Sequence, residues 1–384
     1  MTTMLHVDRD QVLAFRLQSH QLTRRLPPGS LLEASAACGL QNTPPGSAAL
    51  ALQGRIDGLT PGDVDLALAR DKTLIQVWSV RGAPYVVSTV DLPVFTRGVL
   101  PEDEDAARFL LRPHLDEIGM PAAEAIERTA VAIEDALDGR TLTKDDLLEE
   151  LNQRLPESLW PWCEPCQIRH VRPTLQRAAA LWGRFCFAPR AGNEASFVRT
   201  DQWLGTRLPQ ADPDAARAEL VRRYLRCYGP STTKHFAEWA GIAPAHARRL
   251  WQLVESELVP VDFEGRTAWL HTGEVECFTS PPAPAGVRLL PPSDPYLLLR
   301  DRETLLPDNA LQRRVWSHIG NPGAVLVDGR LVATWRPQKK GKRLVVSVHP
   351  FEAISPPAHD AIAAEAERLA PYRSCDSAAV TFAE

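Results

Sequence analysis

One arrangement of helical and extended stretches recurs three times in the chain, and it is clearest over 212–275. There, three stretches with apolar residues at helical spacing precede two short stretches rich in β-forming residues. Gly229 and Gly241 stand at the ends of the first two helices, where glycine commonly stops a helix. Three helices followed by a two-stranded wing is the order of a winged helix-turn-helix, whose third helix and wing meet DNA.

The same order is predicted at 121–200 and, with one additional helix, at 10–89. Within 121–200 we predict a third helix, over 167–183, that is interrupted or kinked at Pro173. Sequence identity among the three copies is too low to reveal a repeat directly, so the prediction rests on the shared order. The sequence predicts three tandem winged-helix domains, at 1–118, 119–208 and 209–283.

The C-terminal part of the chain has a different pattern. After a Pro-rich linker at 280–286, five runs of β-forming residues follow, one of them PYLLLR at 295–300. A final helix is predicted from about 356 to 370. We predict a β-rich, barrel-like domain with a basic hairpin over 284–384, which makes the fold class of the whole chain α+β.

Composition narrows the class of protein and its location. At 384 residues, with 44% hydrophobic and 24% charged residues, the chain has the make-up of an ordinary globular protein. The N-terminal stretch lacks the apolar core of a signal peptide, and no apolar run reaches the roughly 20 residues that span a bilayer. We expect a cytoplasmic, nucleoid-associated protein without a disulfide framework, because the seven cysteines are scattered.

The most basic window of the chain is RPQKKGKR at 336–343, between the last two predicted strands. A formal net charge of −5 argues only weakly against a nucleic-acid partner, because phosphate binding needs a local basic face. One interpretation of the window is a solvated hairpin tip that charge keeps soluble. Beside three winged helices, the alternative of phosphate or groove contact gains weight.

Cys163 and Cys166, in WCEPC, and the nearby His170 resemble half of a zinc site. A tetrahedral zinc site takes a fourth ligand, and no second pair stands at suitable spacing. We therefore favour core cysteines with a histidine at the start of a helix, and we predict neither a metal nor a cofactor. P-loop, dinucleotide-binding, metalloprotease and Ser-His-Asp patterns are missing from the sequence as well.

The stretch GLQNTPPGS at 39–47 contains three neutral polar residues, Gln41, Asn42 and Thr43, between two predicted helices. On residue type alone, they cap the following helix and satisfy backbone groups in a turn. Neutral side chains are also poor general bases. They can, however, orient a water molecule where the leaving group already supplies most of the driving force.

Six stretches, in order, resemble the winged-helix DNA glycosylase family of AlkZ and YcaQ over nearly the whole chain. They are FRLQSHQL, GLQNT followed by LALQGR, VWSVRG, RRYLRCYGPSTTKHFAEWAG, DPYLLLRDRETLLP and VLVDGRLVATWR. The resemblance implies three tandem winged helices and a C-terminal β region that form a DNA-binding surface. It also implies excision of alkylated purines by hydrolysis of the N-glycosidic bond.

The family's catalytic motif is Gln, an aliphatic residue, and then Gln or Asp. Gln41 matches the first position, whereas Asn42 and Thr43 depart from the other two. VWSVRG is also followed by Ala-Pro-Tyr, without the Thr and His that often follow in relatives. The departures put either the activity or the substrate range in question. A shorter Thr43 leaves more room beside a lesion, which suggests a member specialised for bulky adducts, as in self-resistance to antibiotics of the hedamycin or trioxacarcin type.

The resemblance yields a specific expectation for function and site. We expect a monofunctional DNA glycosylase that acts, as a monomer, on N7-alkylguanine or N3-alkyladenine in double-stranded DNA. Gln41 and Thr43 would hold the attacking water, and Asn42 would support the turn or the lesion. The predicted DNA contacts are Arg55, Arg81, Arg336, Gln338, Lys339, Lys340, Lys342 and Arg343. The alternatives are a non-catalytic winged-helix regulator or lesion sensor, and a protein-binding scaffold.

Overall fold

The computed structural model describes residues 5–190, 194–206, 212–317 and 320–383. It divides the chain into two compact units. Unit 1 comprises Met1–Val64, Arg223–His235 and Glu257–Glu384, and unit 2 comprises Asp65–Arg222 and Phe236–Ser256. The predicted domain boundary between 208 and 209 lies outside the described residues.

Helices and strands are interspersed along the described residues. The helices are α1 (Arg9–Ser19), α2 (Leu31–Ala36), α3 (Ser47–Gln53), α4 (Pro61–Ala69), α5 (Leu92–Phe95), α6 (Glu104–Leu111), α7 (Leu115–Ile118), α8 (Ala122–Ala136), α9 (Lys144–Arg154), α10 (Pro173–Ala180), α11 (Thr200–Leu204), α12 (Pro213–Tyr228), α13 (Thr233–Ala240), α14 (Pro244–Gln252), α15 (Val275–Thr279), α16 (Arg302–Leu305), α17 (Asn309–Val315) and α18 (Pro356–Leu369). The strands are β1 (Leu5–Val7), β2 (Leu40–Gln41), β3 (Leu74–Trp78), β4 (Pro84–Ser88), β5 (Leu142–Thr143), β6 (Trp162–Cys163), β7 (Ile168–Arg169), β8 (Phe185–Phe187), β9 (Ser196–Arg199), β10 (Leu258–Phe263), β11 (Arg266–His271), β12 (Val287–Leu290), β13 (Gly323–Val327), β14 (Arg330–Lys340), β15 (Arg343–Pro350) and β16 (Ser377–Phe382).

In unit 1, helix α1 starts at a capping box that its sequence specifies. Asp8 accepts a hydrogen bond from the Gln11 backbone N–H at 2.8 Å, and the Gln11 side chain accepts one from the Asp8 N–H at 2.9 Å. The two bonds satisfy donors that a helix start leaves open. The apolar face of α1, with Val12 and Phe15, then packs into a core that includes Phe278.

The largest sheet of unit 1 has the strand order β12-β13-β14-β15-β16. Neighbouring strands are antiparallel except β15 and β16, which are parallel. Leu344, Val346 and Val348 alternate along β15 and pack with Ile362 and Ala366 of α18, so one helix closes the core on this face. Over the described residues the ladder is linear and does not close on itself, so the barrel-like expectation is wrong for this sheet.

Two predicted elements differ from the structure for identifiable reasons. The run PYLLLR was predicted as a strand, but Pro295–Leu298 forms a 3₁₀ turn because Asp294 caps it by accepting from the Tyr296 N–H at 2.9 Å. The predicted helix 167–183 starts only at Pro173, the first residue of α10. Proline lacks an N–H and suits that position, and a short hairpin, β6 and β7, stands before it.

Unit 2 is built around the helices α8, α9 and α10. Their buried residues, including Ile126, Ile133 and Leu151, form one core with Phe185 and Phe197 of the strands β8 and β9. The order of these helices and strands matches the order predicted for 121–200, although residues 191–193 of the loop between the strands lie outside the described residues. Among the described helices of the whole chain, none combines the length and apolarity needed to cross a membrane.

Candidate active site and nucleic-acid interface

Gln41, Asn42 and Thr43 lie between strand β2 and helix α3 in unit 1. The Asn42 side-chain oxygen accepts hydrogen bonds from the backbone N–H groups of Gly46 at 2.8 Å and Ala48 at 3.2 Å. These donors belong to the first turn of α3 and its cap, which have no acceptor within the helix. Asn42 therefore fixes the start of α3, while Gln41 is half-buried and Thr43 is exposed beside it.

Arg55 fixes the other end of α3 from inside unit 1. Its guanidinium donates to both carboxylate oxygens of Asp294 at 2.8 Å and to the Ala51 carbonyl at 2.9 Å. The side chains of Arg55 and Asp294 are only 2% and 0% exposed. Burial acts to lower the pKa of Arg55, but the Asp294 carboxylate outweighs it and raises the pKa above its usual value. This burial favours a scaffold role for Arg55 over a direct phosphate contact.

A second buried arginine, Arg16 on α1, draws together three distant segments of unit 1. Its guanidinium lies 2.7 Å from an oxygen of Asp301. It also donates to the backbone carbonyls of Tyr228, Gly229 and Pro230 at 2.8, 3.1 and 3.2 Å. Arginine suits such a position because its planar fork reaches several acceptors at once.

Aromatic rings continue this cluster toward the chain that leads into Gln41. The His20 ring meets the rings of Tyr228 and Tyr296 edge-on, with centroids 5.2 and 5.5 Å apart. The Tyr228 hydroxyl donates to the Pro295 carbonyl at 2.7 Å and lies 3.7 Å from the sulfur of Cys38, three residues before Gln41. The stretches FRLQSHQL, RRYLRCYG and DPYLLLRD thus share one buried scaffold behind the motif.

Sequence reasoning missed the pairs Arg16–Asp301 and Arg55–Asp294. The signal was present: Arg16 interrupts an apolar helical face, and Asp294 stands before Pro295 in an apolar run. A charge at such a position is buried only when it is paired. The partner could not be chosen from the sequence, because the paired residues lie 239 or more positions apart.

Arg81 lies in unit 2, between the strands β3 and β4, in a left-handed backbone conformation with φ 57°. Its guanidinium donates to the Trp239 carbonyl at 3.1 Å. A Cβ added at Gly241 would lie 2.8 Å from the Arg81 Cγ and 3.1 Å from its Cα, and Gly241 itself has φ +71°. Glycine is therefore required where the chain after α13 approaches Arg81.

The basic window 336–343 is the tip of the hairpin formed by β14 and β15. Lys340 pairs with Arg343 across a two-residue turn, in which Gly341 takes a positive φ of 61°. Every residue from Arg336 to Arg343 is exposed, and β14 runs past the end of β13, whose last pairing is with Trp335. The tip therefore extends beyond β13 as a charged hairpin, while β16 pairs along β15 as far as Arg343.

Strand alternation sorts the side chains of this tip onto two faces. Arg336, Gln338 and Lys340 share one face with Arg343, which lies opposite Lys340. Lys339 is on the other face, opposite the buried Leu344. We call the first set of four the basic face of the hairpin; Lys342 stands in the turn beside it.

Cys163, Cys166 and His170 come together in unit 2, with their ligand atoms all within 4.8 Å of one another. Cys163 and His170 are buried, but Cys166 is exposed, so the prediction of core cysteines is wrong for Cys166. The Cys166 backbone N–H lowers the pKa of the Cys163 thiol to about 7, against the opposing effect of burial. A similar cluster in unit 1, His20, Cys38 and Cys227, is buried at all three positions.

The fold is that of a DNA glycosylase of known structure. A solved structure, Streptomyces sahachiroi DNA glycosylase AlkZ, matches it with a TM-score of 0.76 and 22% sequence identity, covering 99% of this chain and 100% of that one. The chain belongs to the AlkZ-like DNA glycosylase family, whose model matches residues 34–372. A relative described as an interstrand DNA cross-link repair glycosylase, from Streptomyces sahachiroi, is 25% identical over 335 residues, 85% of this chain and 86% of that protein. This protein is accordingly a DNA glycosylase, a hydrolase that acts on N-glycosyl bonds.

Proposed function

We propose that this glycosylase releases alkylated purines, N7-alkylguanine or N3-alkyladenine, including bulky adducts and cross-linked bases. The observation that carries the proposal is the motif Gln41-Asn42-Thr43 at the start of a helix that is fixed at both ends. The name of the Streptomyces sahachiroi relative, a cross-link repair glycosylase, supports the choice of a large lesion. The exposed Thr43, shorter than the family's Gln, leaves space beside the motif for such a lesion.

The chemistry requires little acid or base from the protein. Alkylation at N7 or N3 puts positive charge on the base and weakens its bond to the sugar. As this bond breaks, its electron pair neutralises the purine, a water oxygen bonds to C1′, and the water proton passes to solvent. In this proposal Gln41 and Thr43 orient that water, and their dipoles stabilise the oxocarbenium-like sugar.

Asn42 takes a supporting part in this proposal. Because its oxygen already accepts from Gly46 and Ala48, it holds the turn that presents Gln41 and Thr43. Arg55 acts through the opposite end of α3 rather than on DNA. The rigidity of this short helix supports the idea that the motif keeps one geometry as substrates vary.

For DNA binding we propose that the basic face of the hairpin lies along or in the minor groove. The face carries Arg336, Gln338, Lys340 and Arg343 without an acidic neighbour in the window. Its exposure and its projection beyond β13 support contact with phosphates. Lys342 at the turn and Arg81 in unit 2 are proposed as further contacts, and Lys339 contributes charge from the opposite face.

The remaining predictions belong to the same proposal. We propose that α8–α10 with β8 and β9, and α12–α14 with β10 and β11, are winged-helix modules, alongside a first module within 1–118. The matching order of helices and antiparallel strands supports this division. The enzyme would act as a monomer on chromosomal DNA in the cytoplasm, in base excision repair or in self-resistance to an alkylating antibiotic.

The test is incubation with duplexes that carry small N7- and N3-alkyl purines, bulky adducts or interstrand cross-links. We expect released base and an abasic site with at least one class. Gln41→Ala should lower the single-turnover rate about 10²- to 10³-fold, the range for loss of one oriented dipole, while DNA affinity stays unchanged. Asn42→Asp is the matched control because it keeps the acceptor oxygen of the turn.

Two outcomes would count against the proposal in different ways. Release of no base from any duplex, with intact lesion binding, would replace the substrate proposal with a lesion sensor. Full activity in Gln41→Ala would leave the reaction standing but remove Gln41 from it.

A further inference from the structure

The short hairpin of β6 and β7 in unit 2 carries three side chains that can bind a metal ion. Cys163 ends β6, Cys166 lies in the turn, and His170 follows β7. Their ligand atoms lie within 4.8 Å of one another. Zn–S and Zn–N bond lengths in a tetrahedral site separate the ligand atoms by about 3.5 to 3.8 Å. Small side-chain adjustments are enough to reach that geometry.

The backbone of the turn already has the shape that such a site needs. The N–H groups of Cys166 and Gln167 both donate to the Cys163 carbonyl, at 3.2 and 2.8 Å. Gln167 adopts a left-handed conformation with φ 55°. This folding of Cys-Glu-Pro-Cys brings the second sulfur back to within 4.8 Å of the first.

His170 supplies an independent observation. His170 is only 6% exposed, and its Nδ1 lies 2.8 Å from the Val171 carbonyl oxygen. A carbonyl only accepts, so Nδ1 carries the proton and Nε2 presents a lone pair. In the part of the chain that the structure describes, this buried Nε2 has no hydrogen-bond partner. Metal-bound histidines show the same arrangement, with the second ring nitrogen bonded to a carbonyl.

The hairpin has little apolar packing, although Asn152 donates to the Arg169 carbonyl at 3.1 Å and Arg172 donates to the Trp162 carbonyl at 2.8 Å. Each strand contributes two residues, and the side chains of Trp162 and Ile168 are exposed, at 44% and 52%. An isolated two-stranded hairpin is marginally stable in water, and small elements without a core are commonly held by a metal or disulfide. A metal bound by Cys163, Cys166 and His170 would reinforce this small element.

We propose that Cys163, Cys166 and His170 bind one Zn²⁺, with a water molecule in the fourth position. Two thiolates balance the charge of the ion, and the neutral imidazole completes a ligand set of sulfur and nitrogen donors typical of zinc. The role of the metal is to hold the hairpin of β6 and β7. This proposal reverses the expectation of a metal-free protein and does not depend on the glycosylase mechanism.

The first test uses the unmodified chain and a thiol-alkylating reagent, with modified cysteines identified by mass spectrometry. Cys166 and Cys277 are both exposed, but Cys277 belongs to neither cysteine cluster. After bound metal has been removed with a chelator, one equivalent of Zn²⁺ should slow alkylation of Cys166 at least tenfold and leave that of Cys277 unchanged. Equal alkylation of Cys166 with and without Zn²⁺, or its recovery as a disulfide with Cys163 under reducing conditions, would overturn the proposal.

The second test measures zinc in protein purified without chelators. We expect about one Zn²⁺ per chain in the parent and in Cys277→Ser, and loss of that zinc in Cys166→Ser. Cys166 is the suitable position because it is exposed, so the substitution leaves the core intact. Hydrogen exchange at 162–169 should also rise in Cys166→Ser. Undiminished zinc in this variant would mean that the metal binds elsewhere, for instance at the cluster of His20, Cys38 and Cys227, and would overturn the proposal.

Discussion

Asp294→Asn is expected to destabilise unit 1 strongly, although it changes neither the size nor the shape of the side chain. Asparagine keeps one oxygen, which can still accept from the Tyr296 N–H. It places an amide NH₂ where Arg55 now donates to a second carboxylate oxygen. The guanidinium then remains buried with its countercharge removed.

The size of the effect follows from the burial of the pair. Breaking a buried ion pair by removing one partner costs about 3 to 5 kcal/mol. The side chains of Arg55 and Asp294 are only 2% and 0% exposed, so the range for a buried ion pair applies. The bond from Arg55 to the Ala51 carbonyl survives and reduces the loss. We therefore expect about 3 kcal/mol, which corresponds to roughly 6 to 12 °C in the melting temperature of a unit of this size.

Hydrogen exchange along a urea series separates the two units, because peptides from α3 and α8 report on each independently. Peptides of α3 should open at lower urea in Asp294→Asn, while those of α8 keep the parent profile. Asp57→Asn is the matched control in unit 1, since Asp57 pairs with Arg368 at 3.3 Å on the surface. Surface pairs contribute at most about 1 kcal/mol.

The reasoning is refuted if Asp294→Asn shifts the opening of α3 no further than Asp57→Asn does. A second variant checks the cause of the effect. Combining Arg55→Met with Asp294→Leu removes both charges, so it should recover most of the lost stability. Failure to recover, after a large loss in Asp294→Asn, would mean that shape rather than charge dominates this site.

Three further predictions concern the motif, the hairpin and pH. Thr43→Gln, which restores the family's residue, should narrow the substrate range toward small adducts; unchanged relative rates on bulky and small adducts would contradict this. Lys340→Ala combined with Arg343→Ala should reduce the slope of log affinity against log salt by about 1.8, whereas Lys339→Ala on the opposite face should change it less. If the double variant has the same slope as the parent, the basic face does not contact phosphates. Burial lowers the pKa of His246 in the folded protein. The unfolded chain therefore binds a proton at this position more readily, and the stability of unit 2 should fall as the pH drops below about 6.5, the usual pKa of histidine. His246→Gln should flatten that fall in urea titrations.

The sequence predicted those helices and strands whose bounds are set by residues close to them in the chain. Helix α1, expected from residue 10, is observed from Arg9 behind its capping box, and the strands expected on either side of 336–343 form the hairpin of β14 and β15. The final helix, expected from about 356 to 370, is observed as Pro356–Leu369. In each case the deciding residues lie within a few positions of the element they specify.

Predictions failed where a distant contact or a cap outweighed the local pattern. PYLLLR has the composition of a strand, yet its buried residues and the Asp294 cap hold it as a turn. The DNA contact expected for Arg55 stays a prediction, but its buried pair with Asp294, 239 residues further along, favours a scaffold role. Such a partner can be recognised only once the fold brings the two segments together.

The geometry of the hairpin tip has a consequence for how the reach of this enzyme can change. The turn at Gly341 and Lys342 contains two residues and closes an antiparallel pair. Inserting one residue on each side lengthens the tip by about 3.4 Å while leaving every pairing nearer the sheet in register. Leu344, Val346 and Val348 would keep their places against α18. Descendants of this protein could therefore acquire longer or shorter arms for different adducts through small paired insertions or deletions, with the hydrophobic core inherited intact.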